Sequence, residues 1–264
     1  MFVAMCTYPE QKAKTSLAFL IVLVFTSTVS AQSFLQAGLG VGIASPQADY
    51  EGGTVSYYWG TKYGLSTGYN VHGKVRAFVL GVRLVSELSY SSFNNTGVAI
   101  PASPIPEAPP QSGHIDVNQN IVSIKLGTEY GLALPFTRLT SYFGGHASVN
   151  ILNGNAFFQG ADFVPNGKYT MQSAVRGGLG GTVGLTYDLA TLMNLDIAAH
   201  FDAINLFGRK WEDLRPNDTD RFDSYLSLND ESDPLFSQGS DLHFVNARRN
   251  IQVLHFTVTL MFGL

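Results

Sequence analysis

Asn120-Ile121-Val122-Ser123-Ile124-Lys125-Leu126-Gly127-Thr128-Glu129-Tyr130-Gly131-Leu132 is the stretch that decides the fold. Its even positions are mostly Val, Ile, Leu and Tyr, while its odd positions include Ser, Lys, Gly and Glu. Successive side chains of a strand point to opposite faces, so this segment is a strand with one apolar and one polar face. The same alternation sets Val175, Leu179, Val183, Leu185 and Tyr187 against Arg176, Gly178, Gly180, Thr182, Gly184, Thr186 and Asp188. It returns near the C-terminus, where Leu254, Phe256, Val258, Leu260 and Phe262 alternate with Val253, His255, Thr257, Thr259, Met261 and Gly263. A bulky apolar face backed by glycine, threonine and charge suits a barrel whose outside is lipid.

Composition agrees. Charged residues make up 14% of the 264, against roughly 25% in soluble domains. A net charge of -4 supplies no concentrated basic face, so nucleic acid is set aside as a partner. Residues 1–31 read as a secretory signal peptide: Lys12 and Lys14, an apolar run from Leu17 to Phe25, then small residues up to Ala31. The run is shorter than the roughly 20 residues a spanning helix needs. Residues 32–264 then form one β-domain. The only cysteine, Cys6, precedes the apolar run, so the part after residue 31 has no disulfide, thiolate metal site or cysteine nucleophile.

Eight strands are expected, near 34–43, 62–72, 75–93, 118–133, 139–155, 169–188, 193–207 and 249–263. Three connections are short: His72-Gly73-Lys74, Leu134 to Arg138, and Leu189 to Met193. Four are long: 44–61, 94–117, 158–168 and 208–248. Short and long connections alternate, which places all tight turns on one side of a membrane and all long loops on the other. The expected fold is therefore all-β, an eight-stranded antiparallel up-and-down transmembrane β-barrel. The proline-rich run from Ile100 to Pro110 reads as an exposed loop tip, since proline lacks the ladder donor. The final loop, with Glu212, Asp213, Asp218, Asp220, Asp223, Asp230, Glu231, Asp233 and Asp241, reads as a solvated acidic loop, because it lacks the spacing of a calcium loop.

Parity assigns an interior. The third strand points Arg83 and Glu87 inward and Phe78, Leu80, Val82, Leu84, Leu88 and Tyr90 outward. Lys125, Glu129, Tyr142, His146, Ser148, Asn150, Arg176, Asp196, His200 and Asp202 also face in. Both signs of charge occur, so ion pairs across the lumen are expected; an unpaired buried charge is costly. A one-residue slip would turn Arg83, Lys125 or Arg176 into hydrocarbon at about 2 to 4 kcal/mol each, so register is strongly specified. A soluble β-sandwich or lipocalin-like fold, with charges in water, would not crowd its polar face with Gly38, Gly40, Gly42, Gly178, Gly180 and Gly184. Aromatics are expected in two belts: Tyr63, Tyr90, Phe93 and Phe207 at the loop ends, and Tyr69, Tyr130, Tyr187 and Phe262 at the turn ends.

On Gly38-Leu39-Gly40-Val41-Gly42, Val85-Ser86-Glu87-Leu88-Ser89-Tyr90, Tyr142-Phe143-Gly144-Gly145 and the terminal strand, the chain resembles the small OmpA/OmpX-type outer-membrane β-barrel domain family from Gln32 to Leu264. It departs from the family in ending on Gly263-Leu264 after Phe262, where the family ends on an aromatic. The resemblance implies a bacterial outer-membrane location, contact with outer-membrane lipid and the barrel assembly machinery, and an extracellular partner for the loops.

Chemistry sites are sparse. His146 and Ser148 share a strand face, a spacing seen in outer-membrane lipid A deacylases, but the sixth strand supplies no orienting carboxylate. Asp196 and His200 are about 13 Å apart along a strand, too far to share an ion; ion-pairing to Arg176 or Arg83 is expected instead. Gly177-Gly178-Leu179-Gly180-Gly181 opens no helix and cradles no phosphate. The expectation is a non-enzymatic envelope barrel without catalytic, metal or cofactor residues, acting as a membrane anchor with loops for surface interaction. The alternative is a narrow pore or small-solute uptake route.

Overall fold

The computed structural model describes residues 34–79, 81–99, 113–161, 164–212, 225–234 and 247–264. The segment expected to be a signal peptide and the proline-rich run expected to be a loop tip lie outside the described residues. Eight strands form the wall: β1 (Leu35–Gln47), β2 (Gly68–Val79), β3 (Val82–Ala99), β4 (Gly113–Ala133), β5 (Leu139–Gln159), β6 (Gly167–Ala190), β7 (Met193–Phe207) and β8 (Gln252–Gly263). Each pairs antiparallel with its sequence neighbour, and β1 pairs with β8 to close the barrel. A short helix, α1 (Thr54–Tyr58), lies between β1 and β2.

One expected turn is corrected. His72, Gly73 and Lys74 lie inside β2, opposite Ser89, Leu88 and Glu87. The chain reverses between Val79 and Val82, which pair with each other, and Gly81 there has φ +82°, a conformation glycine adopts without a side-chain clash. Gly73 sits in an ordinary strand position; reading it as the turn cut a continuous period-two run in half. Phe78 therefore faces inward opposite Arg83, not outward as expected. Leu80 lies outside the described residues.

The wall is uneven. β3, β4, β5 and β6 have 18, 21, 21 and 24 residues, whereas β1, β2, β7 and β8 have 13, 12, 15 and 12. The expected ends of the tall strands were too low. β3 through β6 continue as a four-stranded flap on the side of the long loops.

Polarity reverses along these strands. On β4, Leu126 and Ile124 stand exposed on the outer wall while Lys125 and Ser123 are buried. Higher up, Ile115, Val117 and Ile121 are buried while His114 and Asp116 are half-exposed outside. The Tyr90 hydroxyl donates to Asn120 Oδ1 at 2.8 Å, and Asn120 Nδ2 donates to Asn118 and Asn153. The apolar outer belt thus ends at Tyr90, Val122, Ile151, Val175 and Phe207. It begins near Val79, Leu132, Leu134 and Leu192, all exposed.

Above the belt the interior is a conventional apolar core. Tyr50, Tyr57, Tyr58, Tyr63 and Leu65 from the β1–β2 loop pack with Phe93, Ile115, Val117, Phe158, Ile204 and Tyr225. Tyr50 meets Tyr63 and Phe93 edge-on at 5.6 and 5.2 Å. Tyr63 and Phe93 are therefore buried here and not in an outer aromatic belt. Tyr69, expected at the turn end, lies at the loop end, exposed and 6.2 Å from the Tyr90 ring. The opposite end carries Tyr130 against Phe143 at 5.8 Å, with exposed Tyr187 and Phe262.

Candidate functional site

The interior is the site, and it is built in three tiers. Nearest the tight turns, β2 contributes Lys74 and Arg76, β4 Glu129 and β7 Asp196. Lys74 Nζ lies 2.7 Å from Glu129 Oε1 and 3.0 Å from Asp196 Oδ2. Arg76 Nη2 lies 2.7 Å from Glu129 Oε2 and 3.2 Å from Asp196 Oδ2. The buried Tyr142 ring faces both cations at 5.2 and 5.1 Å, close enough for cation–π attraction. Arg83 stacks over Phe78 at 5.2 Å and reaches Tyr142 at 5.9 Å. Asp196 was expected to pair with Arg176 or Arg83; its partners are Lys74 and Arg76, which the misplaced turn at Gly73 had hidden.

The middle tier centres on Lys125. Its Nζ lies 2.9 Å from Asp202 Oδ2 and 3.2 Å from Glu87 Oε1. His146 Nε2 is 2.6 Å from Asp202 Oδ1, and His255 Nδ1 is 3.0 Å from Asp202 Oδ2. His72 bridges Asn70 and Thr259, and His200 bridges Thr182 and Thr257. Small residues make this possible. A Cβ at Gly180 would meet Asp202 and His146, and one at Gly40 would meet His72 and Thr259.

In the top tier a segment of the last loop plugs the mouth. Asp230 is fully buried and accepts from Arg176 Nε and Nη2, both at 2.9 Å. It also accepts from Asn205 Nδ2 at 2.8 Å and the Lys210 backbone N–H at 2.9 Å. The segment is pinned further: Tyr63 OH donates to the Leu228 carbonyl, Tyr225 OH to that of Tyr58, and Arg249 Nη2 to that of Asn229. Arg249 also lies over the Tyr63 ring at 4.0 Å. Burial pushes the Tyr63 phenol up to about 12, with Arg249 pulling the other way. The acidic loop is thus not wholly solvated: Asp230 is a buried ion-pair partner. Asp213, Asp218, Asp220, Asp223 and Asp241 lie outside the described residues.

All nine expected lumen residues, Arg83, Glu87, Lys125, Glu129, His146, Arg176, Asp196, His200 and Asp202, point into the barrel. Eight are buried, with His146 nearly so. Missed were His72, Lys74, Arg76 and His255 as ion-pair or hydrogen-bond partners, and Asp230. The even-position run Asn70, His72, Lys74, Arg76 was a legible signal once Gly73 is allowed inside a strand. For His146 and Ser148, the carboxylate absent from β6 comes from β7 as Asp202. It binds His146 Nε2, while Ser148 Oγ accepts from Asn150 Nδ2 at 3.0 Å. Among the described residues, no group of His, Cys, Asp and Glu is arranged to hold a metal ion.

The void left amid these charges is about 20 Å³, room for about one water molecule. The arrangement can hold a wall rigid and sealed.

No protein-family description and no characterised protein matches the sequence. Among solved structures, the chain is similar to Neisserial surface protein A at 12% identity, TM-score 0.48, covering 89% of this chain and all of that one. It is similar to a major outer membrane protein from Thermus thermophilus at 11% identity, TM-score 0.45, covering 86% and 98%. It is also similar to Ail, the attachment invasion locus protein of Yersinia pestis, solved with the heparin analogue sucrose octasulfate, at 10% identity, TM-score 0.35, covering 86% and 97%. The fold assignment rests on the strand pairing above and not on these likenesses.

Proposed function

We propose that this chain is a bacterial outer-membrane barrel that acts as a sealed anchor and presents a folded crown to the outside of the cell. One observation carries the reading: inside and outside exchange polarity at a single height around the tall strands. Below that height an apolar wall encloses paired charges, as hydrocarbon requires. Above it a polar wall encloses an aromatic core, as water requires. On β4 the apolar wall spans Val122 to Leu132, eleven residues, close to the roughly 9–11 that a tilted spanning strand needs. An eight-stranded barrel has an interior just wide enough for side chains, and the charge tiers fill it. That filling disfavours the narrow-pore reading.

The crown supplies the working surface. On one flank, β3 is held by the β1–β2 loop, through Thr54 Oγ1 to the Val98 carbonyl and Asn95 Nδ2 to those of Gly52 and Gly64. On the other flank, pairing of β6 with β7 stops at Gly177 opposite Phe207. Above Gly177, among the described residues, β6 has β5 as its only strand neighbour. An open strand edge is a template for an added strand, so this edge is the proposed contact for an extended segment of a partner.

Membrane-impermeant maleimide labelling of single-cysteine variants tests the orientation. Ser173→Cys, on the crown, is expected to label in intact cells; Phe136→Cys, at a tight turn, only after the outer membrane is opened. The reverse pattern, or equal labelling of both, overturns the reading.

A further inference from the structure

One buried cation of the lumen has no carboxylate. Arg83 stands second in β3, beside the tight turn, and is 5% exposed. Among the described residues no ion pair reaches it, and its Nη1 is buried without a hydrogen-bond partner. The two carboxylates of that tier, Glu129 and Asp196, are held by Lys74 and Arg76 instead. Arg76 meets both through Nη2, which leaves its own Nε and Nη1 buried without a partner. Glu87 and Asp202 are engaged a tier higher by Lys125, His146 and His255. At the turn end, Lys74, Arg76 and Arg83 therefore face only Glu129 and Asp196, a surplus of one positive charge.

Aromatic rings do not remove that surplus. Arg83 lies over Phe78 at 5.2 Å and near Tyr142 at 5.9 Å, and Arg76 lies over Tyr142 at 5.1 Å. A ring face attracts the charge, yet the Nη1 donors of both arginines remain without an acceptor. Buried polar groups are nearly always paired, and one that is not points to a bound water or ion. Water would satisfy the donors but leave the surplus charge, which burial penalises. An anion does both. One surplus charge is balanced by a monovalent anion and overshot by a dianion such as sulfate. An eight-stranded interior is just wide enough for side chains, so the ion must be small. The void of about 20 Å³ is not its seat, since Glu87 and Glu129 line it and neither arginine does. The seat is at the two guanidiniums, beside Gly131, where an added Cβ would come within 2.8 Å of Arg83 Cζ.

We propose that Arg76 and Arg83 bind one small monovalent anion, of the size and charge of chloride, at the turn end of the lumen. The unpartnered nitrogens of both side chains hold it through charge-assisted hydrogen bonds. It completes the lowest charge tier and enters from the side of the tight turns.

The test uses the full chain folded in detergent and freed of halide by dialysis into sodium gluconate, whose anion is too large for the seat. Chloride is then added at constant ionic strength. At about 300 mM chloride the folded-to-unfolded ratio is expected to rise roughly thirtyfold over gluconate for a dissociation constant of about 10 mM, read from the urea midpoint. Arg83→Gln removes the surplus charge and should abolish the chloride response, while Arg83→Lys keeps the charge and should retain part of it. Arg138→Gln, at an exposed arginine of a tight turn, should leave the response unchanged. In crystals soaked with bromide, an anomalous peak is expected at hydrogen-bonding distance from Arg83, and this readout stands on the wild type alone if Arg83→Gln does not fold. Equal stability in chloride and gluconate would mean that water hydrates the two arginines, and overturns the proposal. So does a chloride response that survives Arg83→Gln, or bromide found only at exposed cations.

Discussion

At the scale of single residues, the barrel interior depends on buried cations held by carboxylates, as Lys74, Arg76, Lys125 and Arg176 are. Removing one partner leaves the other buried and uncompensated, which costs far more than the pair contributes. Lys125 is the sharpest case, since Glu87 and Asp202 both depend on it. Lys125→Ala is expected to destabilise the barrel by about 3–5 kcal/mol, read as a lower urea midpoint of the detergent-folded protein at unchanged slope. A shift within about 0.5 kcal/mol, the level of an ordinary surface substitution, would mean that these charges are hydrated and not paired. Individual lumen residues were legible where they lay on an unbroken alternation: Lys125 between Ile124 and Leu126, or Arg176 beside Val175. Lys74 and Arg76 were missed because a glycine has two meanings, turn or space-maker, and local sequence does not separate them. Asp230 was missed because a loop has no period from which to read the direction of a side chain.

At the scale of elements, the number, type and order of the strands were legible, and their upper ends were not. Alternation was sought with apolar residues outside, yet above the belt the same strands carry them inside. The crossing leaves a mark that sequence reading can use: consecutive apolar residues, Ile121-Val122 on β4 and Ile151-Leu152 on β5, one facing each way. His114-Ile115-Asp116-Val117-Asn118 then reads as strand and not as loop. The flap formed by these extensions has unequal edges, with one tied to the β1–β2 loop and the other without a strand partner among the described residues. Hydrogen exchange is expected to show fast amides among Thr170 to Ala174 on the side facing away from β5. The amides of β4 between Ile115 and Ile121, paired on both sides, should stay protected. Slow exchange along the whole upper part of β6 would show that the edge is already occupied and would remove it as a docking surface.

At the scale of the whole molecule, one chain meets two solvents by changing which face of its strands is apolar, while the backbone ladder continues without interruption along β4. The belt anchors, the charge tiers seal, and the crown folds around its own aromatic core. The alternation of tight and long connections announced this plan in the sequence. That described parts of the first and last long connections fold back into the mouth was not announced, because the contacts are as distant in sequence as Tyr63 to Leu228 and Tyr58 to Tyr225. The most direct test is a nitroxide scan along β4, from residue 114 to residue 126, made simple by the absence of cysteine after Cys6. Power-saturation EPR in lipid bilayers would compare accessibility to oxygen, which favours lipid, with that to a water-soluble nickel chelate. Labels at 122, 124 and 126 are predicted to favour oxygen, those at 114, 116 and 118 the chelate, and those at 117, 121 and 123 neither. Chelate access at 124, or oxygen preference at 116, would contradict the membrane belt and the reversal of polarity above it.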